Sequence, residues 1–193
     1  MKIGLEGRKA LVAGATGVLA DGLLRALRDN GAEATTSPAE GAGAEIVVVV
    51  SAGAESGPVA DNVATREAED EAFAELARTH GPRARRLIHV ISVAAVVPIR
   101  GAAKFSARQA GLASLTQALA MELAPACLVN AIAVGGFGVG AERFVSHSAL
   151  RRQAALDEIV SAALFLANPQ NTYTTGHVMT VDGGWSAGYA RNF

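Results

Sequence analysis

Residues 9–20 read Lys-Ala-Leu-Val-Ala-Gly-Ala-Thr-Gly-Val-Leu-Ala, a short apolar run that passes through two glycines into a helical pattern. The run predicts a buried strand over Lys9–Ala13, and leucines at helical spacing predict a helix over residues 18–30. The glycines allow a tight turn, and the unpaired N–H groups of the first helical turn suit a pyrophosphate. A similar turn also joins strand to helix in proteins that bind no nucleotide, so its function stays open at this point.

The alternation of strands and helices continues to the end of the chain. The unbroken β-branched run Ile46–Val50 is typical of a parallel strand covered on both faces. The pattern predicts four more strands and three more helices, the strands at 32–36, 86–92, 128–134 and 178–181 and the helices at 62–80, 104–124 and 157–167. Such an order predicts an α/β protein with a mostly parallel sheet of about six strands, which binds ligands beyond the carboxyl ends of its strands.

Composition narrows the classes of function. With 193 residues, we expect one domain over residues 1–193. The 17 basic and 18 acidic residues nearly cancel, which argues against a nucleic-acid or anionic-membrane surface. A single cysteine, Cys127, excludes a disulfide framework, and no histidine pair has the spacing of metal ligands, so we expect no metal. Charges interrupt the apolar runs near the N-terminus, so no signal peptide is expected and we predict a cytoplasmic protein.

Several stretches together resemble the short-chain dehydrogenase/reductase family, in particular its 3-oxoacyl-thioester reductases. Residues 7–16 resemble the family's opening strand and glycine turn, and Val-Val-Val-Ser-Ala-Gly at 48–53 resembles the strand that ends in Asn-Asn-Ala-Gly. Residues 89–95 resemble the strand that carries the catalytic serine, and 173–185 match the C-terminal strand almost letter for letter. The resemblance implies a Rossmann-like three-layer fold and a nicotinamide nucleotide, NAD(P), as cofactor.

The catalytic positions depart from the family pattern. Members use a serine, a tyrosine that in many of them follows thirteen residues later, and a lysine four residues beyond the tyrosine. Ser92 matches the serine, whereas the other two positions hold Phe105 and Gln109. Phenylalanine has no proton to donate to a carbonyl oxygen, and glutamine has no charge to lower the pKa of a phenol. General acid–base help typically contributes 10²–10⁴-fold, so Ser92 alone is not expected to recover the family's rate.

The cofactor residues that the resemblance implies are only partly present. They are Gly14, Thr16, Gly17, Ala20 and Gly53. In the family, an acidic residue binds the adenosine ribose of NAD, or an arginine binds the 2′-phosphate of NADP. Near that position this sequence has only Glu40, so the sequence does not distinguish NAD from NADP. Asn62 lies near the place of the family's catalytic asparagine, and the spacing leaves that match open.

Two segments are shorter than in the family. Between Thr36 and Ile46, the family places a strand and two helices, whereas this chain has only a short connection. Either that connection runs extended across the sheet, or residues 32–36 do not form a regular parallel strand. Such a loss is expected to leave apolar sheet surface poorly covered. The substrate lid after Gly136 is also short, and Gly138, Gly140 and residues 143–152 replace it.

Three functions remain open from the sequence. The first is a truncated, non-catalytic homologue that pairs with itself or with an active reductase of the same family, through the helices and final strand that form the family's subunit interfaces. The second is an NAD(P)-dependent oxidoreductase with an altered site around Ser92. The third is a small-molecule binder, or a cyclase or dehydratase, that uses the same cleft without hydride transfer.

Overall fold

The computed structural model describes residues 2–56, 71, 74–76 and 78–188. Six parallel strands form one sheet in the order β2-β1-β3-β4-β5-β6. The strands are β1 (Lys9–Gly14), β2 (Glu33–Thr35), β3 (Ile46–Val50), β4 (Arg86–Ser92), β5 (Leu128–Val134) and β6 (Val178–Val181). The α-helices whose two ends both lie within the described residues are α1 (Val18–Asp29), α2 (Gly53–Ser56), α3 (Ala103–Leu123), α4 (Glu142–Val145) and α5 (Leu156–Ala167). The predicted α/β class and parallel six-stranded sheet are confirmed.

Helices cover both faces of the sheet, because alternate side chains of each strand point to opposite faces. Ile46, Val48 and Val50 pack with leucines of α1 and with α5, including Leu19, Leu23 and Leu164. Val47 and Val49 face the other way and pack with α3 through residues such as Leu112 and Leu119. All five residues of β3 are buried, as the β-branched run predicts.

The shortened connection between β2 and β3 keeps β2 in a regular parallel pairing. Ala10 pairs with Ala34 on one side and with Ile46 on the other, so the chain between Thr36 and Ile46 passes over β1. This connection is made of turns, and its Gly41 lies against the Leu11 side chain. A Cβ on Gly41 would lie only 2.8 Å from Leu11 Cδ1. Leu11 is fully buried, so the expectation of poorly covered sheet surface is wrong at this position.

The predicted helix at 62–80 lies only partly within the described residues. Residues 71, 74–76 and 78–80 are helical. Asn62 and the rest of the segment from 62 to 70 lie outside the described residues. In the part of the chain that the structure describes, no helix combines the length and the apolar character needed to cross a membrane.

Candidate functional site

The glycine turn between β1 and α1 has the backbone geometry that the sequence predicts. Gly14 and Gly17 have φ values of +94° and +147°, which L-residues with a side chain rarely adopt. A Cβ on Gly14 would run into the carbonyl of Val50, because the Ala15 N–H donates to that oxygen at 2.8 Å. Ala20 is buried against the sheet, whereas Thr16 is exposed. The turn therefore brings the start of α1 to the carboxyl end of the sheet.

The start of α1 is bonded to a carboxylate from the same chain. The backbone N–H groups of Val18 and Leu19 donate to the two oxygens of Glu55, at 3.1 and 3.2 Å. Glu55 belongs to α2, which follows β3 directly. In a dinucleotide-binding turn, these N–H groups and the positive end of the helix dipole hold the pyrophosphate. Here Glu55 provides the negative charge at that position.

Glycines on two sides make room for Glu55. A Cβ on Gly17 would lie 2.5 Å from Glu55 Oε2. Gly138, in the loop that follows β5, has a φ of +74°, and a Cβ there would clash with the Glu55 backbone carbonyl. The space that a glycine turn leaves for the close approach of a nucleotide is thus filled by Glu55, with the shortened lid segment against it.

Gln109 bonds to the carboxyl ends of two neighbouring strands. Its Oε1 accepts from the Ser92 N–H at 2.8 Å, and its Nε2 donates to the Ser51 hydroxyl at 3.1 Å. Both polar ends of the amide are therefore engaged, and Gln109 is 3% exposed. A lysine ammonium could not accept the Ser92 N–H, because it has only donors. At this position glutamine thus has a structural use that the family's lysine could not fulfil.

Ser92, predicted to match the family's catalytic serine, lies at the end of β4 and forms a local backbone contact. Its side chain is buried, and its Oγ accepts from the Ala94 N–H at 3.3 Å. This bond caps the short helical turn Val93–Ala95. Capping by a serine hydroxyl is a common structural role for a residue at a strand end.

Phe105 packs onto the turn that follows β3. The ring is 1% exposed, and its Cε2 and Cζ would lie 2.7 and 3.0 Å from a Cβ on Gly53. Cζ is the atom that carries the hydroxyl in tyrosine. Gly53, predicted as a cofactor-binding residue, therefore contributes close packing with the Phe105 ring. Lys104, the neighbouring cation, is exposed.

The arrangement lacks the groups for acid-catalysed hydride transfer among these residues. Ser92, Phe105 and Gln109 contain no proton donor that titrates in the physiological range and no positive charge. In the arrangement of the described residues, a nicotinamide nucleotide does not fit, because Glu55 occupies the pyrophosphate position and both ends of the Gln109 amide are engaged. Within the described ranges, no group of three or more His, Cys, Asp or Glu is placed to hold a metal ion.

Comparison with known proteins agrees with this architecture. A family model described as enoyl-(acyl carrier protein) reductase matches residues 71–186. A short-chain dehydrogenase/reductase from Arabidopsis thaliana is 30% identical over 116 residues, which are 54% of this chain and 46% of that protein. A 3-oxoacyl-[acyl-carrier-protein] reductase from Synechocystis is 35% identical over 107 residues, covering 51% and 43% of the two chains. The matched stretches thus span less than half the length of these two relatives.

A solved structure described as a Pseudomonas aeruginosa RhlG/NADP active-site complex superimposes with a TM-score of 0.77. It is 21% identical, and the match covers 95% of this chain and 98% of the other. Parallel strands between two helical layers, with a glycine turn opening α1, define a Rossmann-like α/β protein. With more than half of its residues matched by the family model, the chain belongs to the short-chain dehydrogenase/reductase family.

Sequence reasoning missed Glu55. The residue lies 37 positions from the N–H group of Val18 that it binds, so no local motif connects the two. An acidic side chain just past the end of a strand that neighbours a glycine turn is the only signal that could have indicated the contact. The Gln109 bridge was also missed, because its partners Ser51 and Ser92 come from different strands.

Proposed function

We propose that this chain is a non-catalytic member of its family and serves as a subunit or partner of an active reductase. The observation that carries the proposal is the use of the family's catalytic positions for packing, with Gln109 joining Ser51 to Ser92 and Phe105 on Gly53. The Glu55 carboxylate at the start of α1 supports it, since a bound dinucleotide would have to displace that group. We further propose that residues 1–193 act as one domain in the cytoplasm.

The partner in this proposal is a second copy of the chain or a related reductase subunit, and neither nucleic acid nor membrane is involved. The test is co-expression with family reductases from the same cell, followed by native mass measurement and assay of the reductase with and without this chain. A stable complex with altered reductase activity, or a homo-oligomer without activity of its own, is the expected result. A strictly monomeric chain that changes no reductase would contradict the proposal.

A second candidate is an NAD(P)-dependent oxidoreductase with an atypical site. The glycine turn favours it, because Gly14 and Gly17 have positive φ values, and a nucleotide-binding turn uses glycines for a tight turn at the start of a helix. The similar solved structure from Pseudomonas aeruginosa favours it as well, since that protein is described as an NADP complex. The Phe105→Tyr plus Gln109→Lys double variant separates the two, because restored turnover of a carbonyl panel requires a usable cofactor pocket. We expect no turnover while Glu55 remains in place.

A further inference from the structure

A cavity of about 450 Å³ opens at the amino-terminal edge of the sheet, where β3, β4 and β5 begin. It lies opposite the edge at which parallel α/β sheets usually bind their ligands. Its size falls in the range of small-molecule sites. A ligand bound in this cavity would therefore not depend on the non-catalytic role proposed above, which rests on residues of the carboxyl edge.

The cavity carries an excess of positive charge. Its charged lining, within the described residues, consists of Arg8, Arg85, Arg86 and Glu45. Arg8 Nη1 lies 2.9 Å from Glu45 Oε2, and Arg85 Nε lies 3.5 Å from the same oxygen. A single carboxylate of this lining thus serves two guanidinium groups and leaves the third cation uncompensated.

Arg86 is the uncompensated cation of the lining. Its Nη1 donates to the Arg85 carbonyl at 2.9 Å and its Nη2 to the Asn171 carbonyl at 3.0 Å, while its buried Nε has no hydrogen-bond partner among the described residues. Burial, together with the nearby charges of Arg8 and Arg85, holds the pKa of Arg86 below its usual range. Cys127 does not offset the charge, because burial raises the pKa of its thiol to about 11 and keeps it neutral.

The donors needed for an anion are present at the rim. The Arg85 side chain is 71% exposed, and its Nη atoms make no hydrogen bond to the residues that the structure describes. A guanidinium presents paired N–H groups that match the oxygens of phosphate. Pro125, Ala126 and Leu128 add an apolar wall to the same cavity.

We propose that this cavity binds an organic phosphate monoester. The dianion matches the two net positive charges of the lining, and the ester group occupies the apolar part of a cavity too large for phosphate alone. Arg85 and Arg8 contact the phosphate oxygens, and Arg86 contributes charge from behind them. Glu45 competes with the phosphate for the same two arginines.

The test is calorimetric titration with phenyl phosphate at constant ionic strength, compared with inorganic phosphate. We expect saturable binding of one phenyl phosphate per chain, tighter than that of inorganic phosphate. Arg85→Gln is expected to weaken binding about tenfold, since it removes a charge-assisted pair of hydrogen bonds. Arg25→Gln, on an exposed position of α1, removes the same charge at a residue that does not line the cavity, and is the matched control.

Glu45→Gln should change the affinity for phenyl phosphate in the opposite direction. The variant frees Arg8 and Arg85 from Glu45, so phenyl phosphate should bind several-fold more tightly. A circular dichroism spectrum like that of the wild type shows that the variant is folded. Absence of saturable binding to the wild-type protein would overturn the proposal. So would equal weakening by Arg25→Gln, weaker binding in a folded Glu45→Gln variant, or inorganic phosphate that binds as tightly as the monoester.

Discussion

The two edges of the sheet differ in how their polar groups are used. At the carboxyl edge, the N–H groups of α1 bind Glu55, and Gln109 joins Ser51 to Ser92. At the amino edge, around an open cavity, Arg8 and Arg85 share Glu45, and Arg86 has no acidic partner among the described residues. In parallel α/β folds the carboxyl edge is the usual ligand site. Among the described residues, Glu55 and Gln109 engage polar groups of that edge, whereas Arg86 at the opposite edge has no acidic partner.

This difference teaches how Phe105 and Gln109 fill the positions at which the resemblance to the family implies a tyrosine and a lysine. A pair that packed or bonded less well could leave unsatisfied groups in a buried cleft, which would cost stability. Here phenylalanine and glutamine complete the packing and hydrogen bonding of the strand ends. If the residues of the carboxyl edge stabilise the fold, substituting them should lower the free energy of unfolding. The expected effects are given from the largest to the smallest.

Phe105→Ala should cause the largest loss of stability at the carboxyl edge. A fully buried phenylalanine typically costs about 3–5 kcal/mol when it is cut back to alanine. Phe165→Ala is the matched control, because Phe165 is 41% exposed and its truncation should cost far less. Chemical denaturation measures both, and similar losses for the two variants would contradict a packing role for Phe105.

Gln109→Met should destabilise the fold by about 1–3 kcal/mol, because it leaves the Ser92 N–H without its partner and removes one of the two hydrogen bonds of the Ser51 hydroxyl. Gln117→Met, on an exposed position of the same helix, is the control and should change stability little. A Gln109→Met variant as stable as wild type would show that the bridge is not structural.

His89, buried in β4 between the two edges, should make stability sensitive to acid. Its Nδ1 lies 2.7 Å from Thr116 Oγ1, and because the Thr116 hydroxyl donates to the Leu112 carbonyl, Nδ1 is the donor. Burial lowers the pKa of His89 from 6.5 to about 3. Below pH 6.5, His89 therefore binds a proton in the unfolded chain but not in the folded chain. The free energy of unfolding decreases as the pH is lowered.

The expected loss between pH 6.5 and 5 is about 1.5–2 kcal/mol, since each pH unit in this window contributes up to ~1.4 kcal/mol. Denaturation of wild type and of His89→Gln at both pH values measures it. The free energy of unfolding of His89→Gln should decrease less between pH 6.5 and 5 than that of the wild type. An equal decrease in both proteins would show that His89 is not the group responsible.

Glu55→Gln should have the smallest effect on stability, about 1 kcal/mol, the usual contribution of a carboxylate at a helix start. Glu122→Gln, on an exposed position of α3, controls for the change in charge. Thermal unfolding of the two variants at low ionic strength gives the difference. Equal melting temperatures would show that Glu55 does not stabilise α1.

Local patterns predicted the strands and helices well, because hydrophobic periodicity and glycine turns are encoded by neighbouring residues. The β-branched run Ile46–Val50 and the turn at Gly14 are examples, and the absence of tyrosine and lysine at 105 and 109 needed only a count from Ser92. What replaced those residues could not be predicted. Glu55 reaches α1 across 37 positions, and Gln109 reaches Ser51 across 58, so both contacts depend on the folded arrangement of strands.

The most direct test of the role of Glu55 at the carboxyl edge is calorimetric titration of the wild-type protein with nicotinamide nucleotides. NAD⁺ and NADH are used, because neither carries the 2′-phosphate monoester that the amino edge would hold. We predict no saturable heat up to millimolar nucleotide in either titration. Saturable binding of NAD⁺ in the micromolar range would contradict this prediction, because the nucleotide would then have displaced Glu55 from the start of α1.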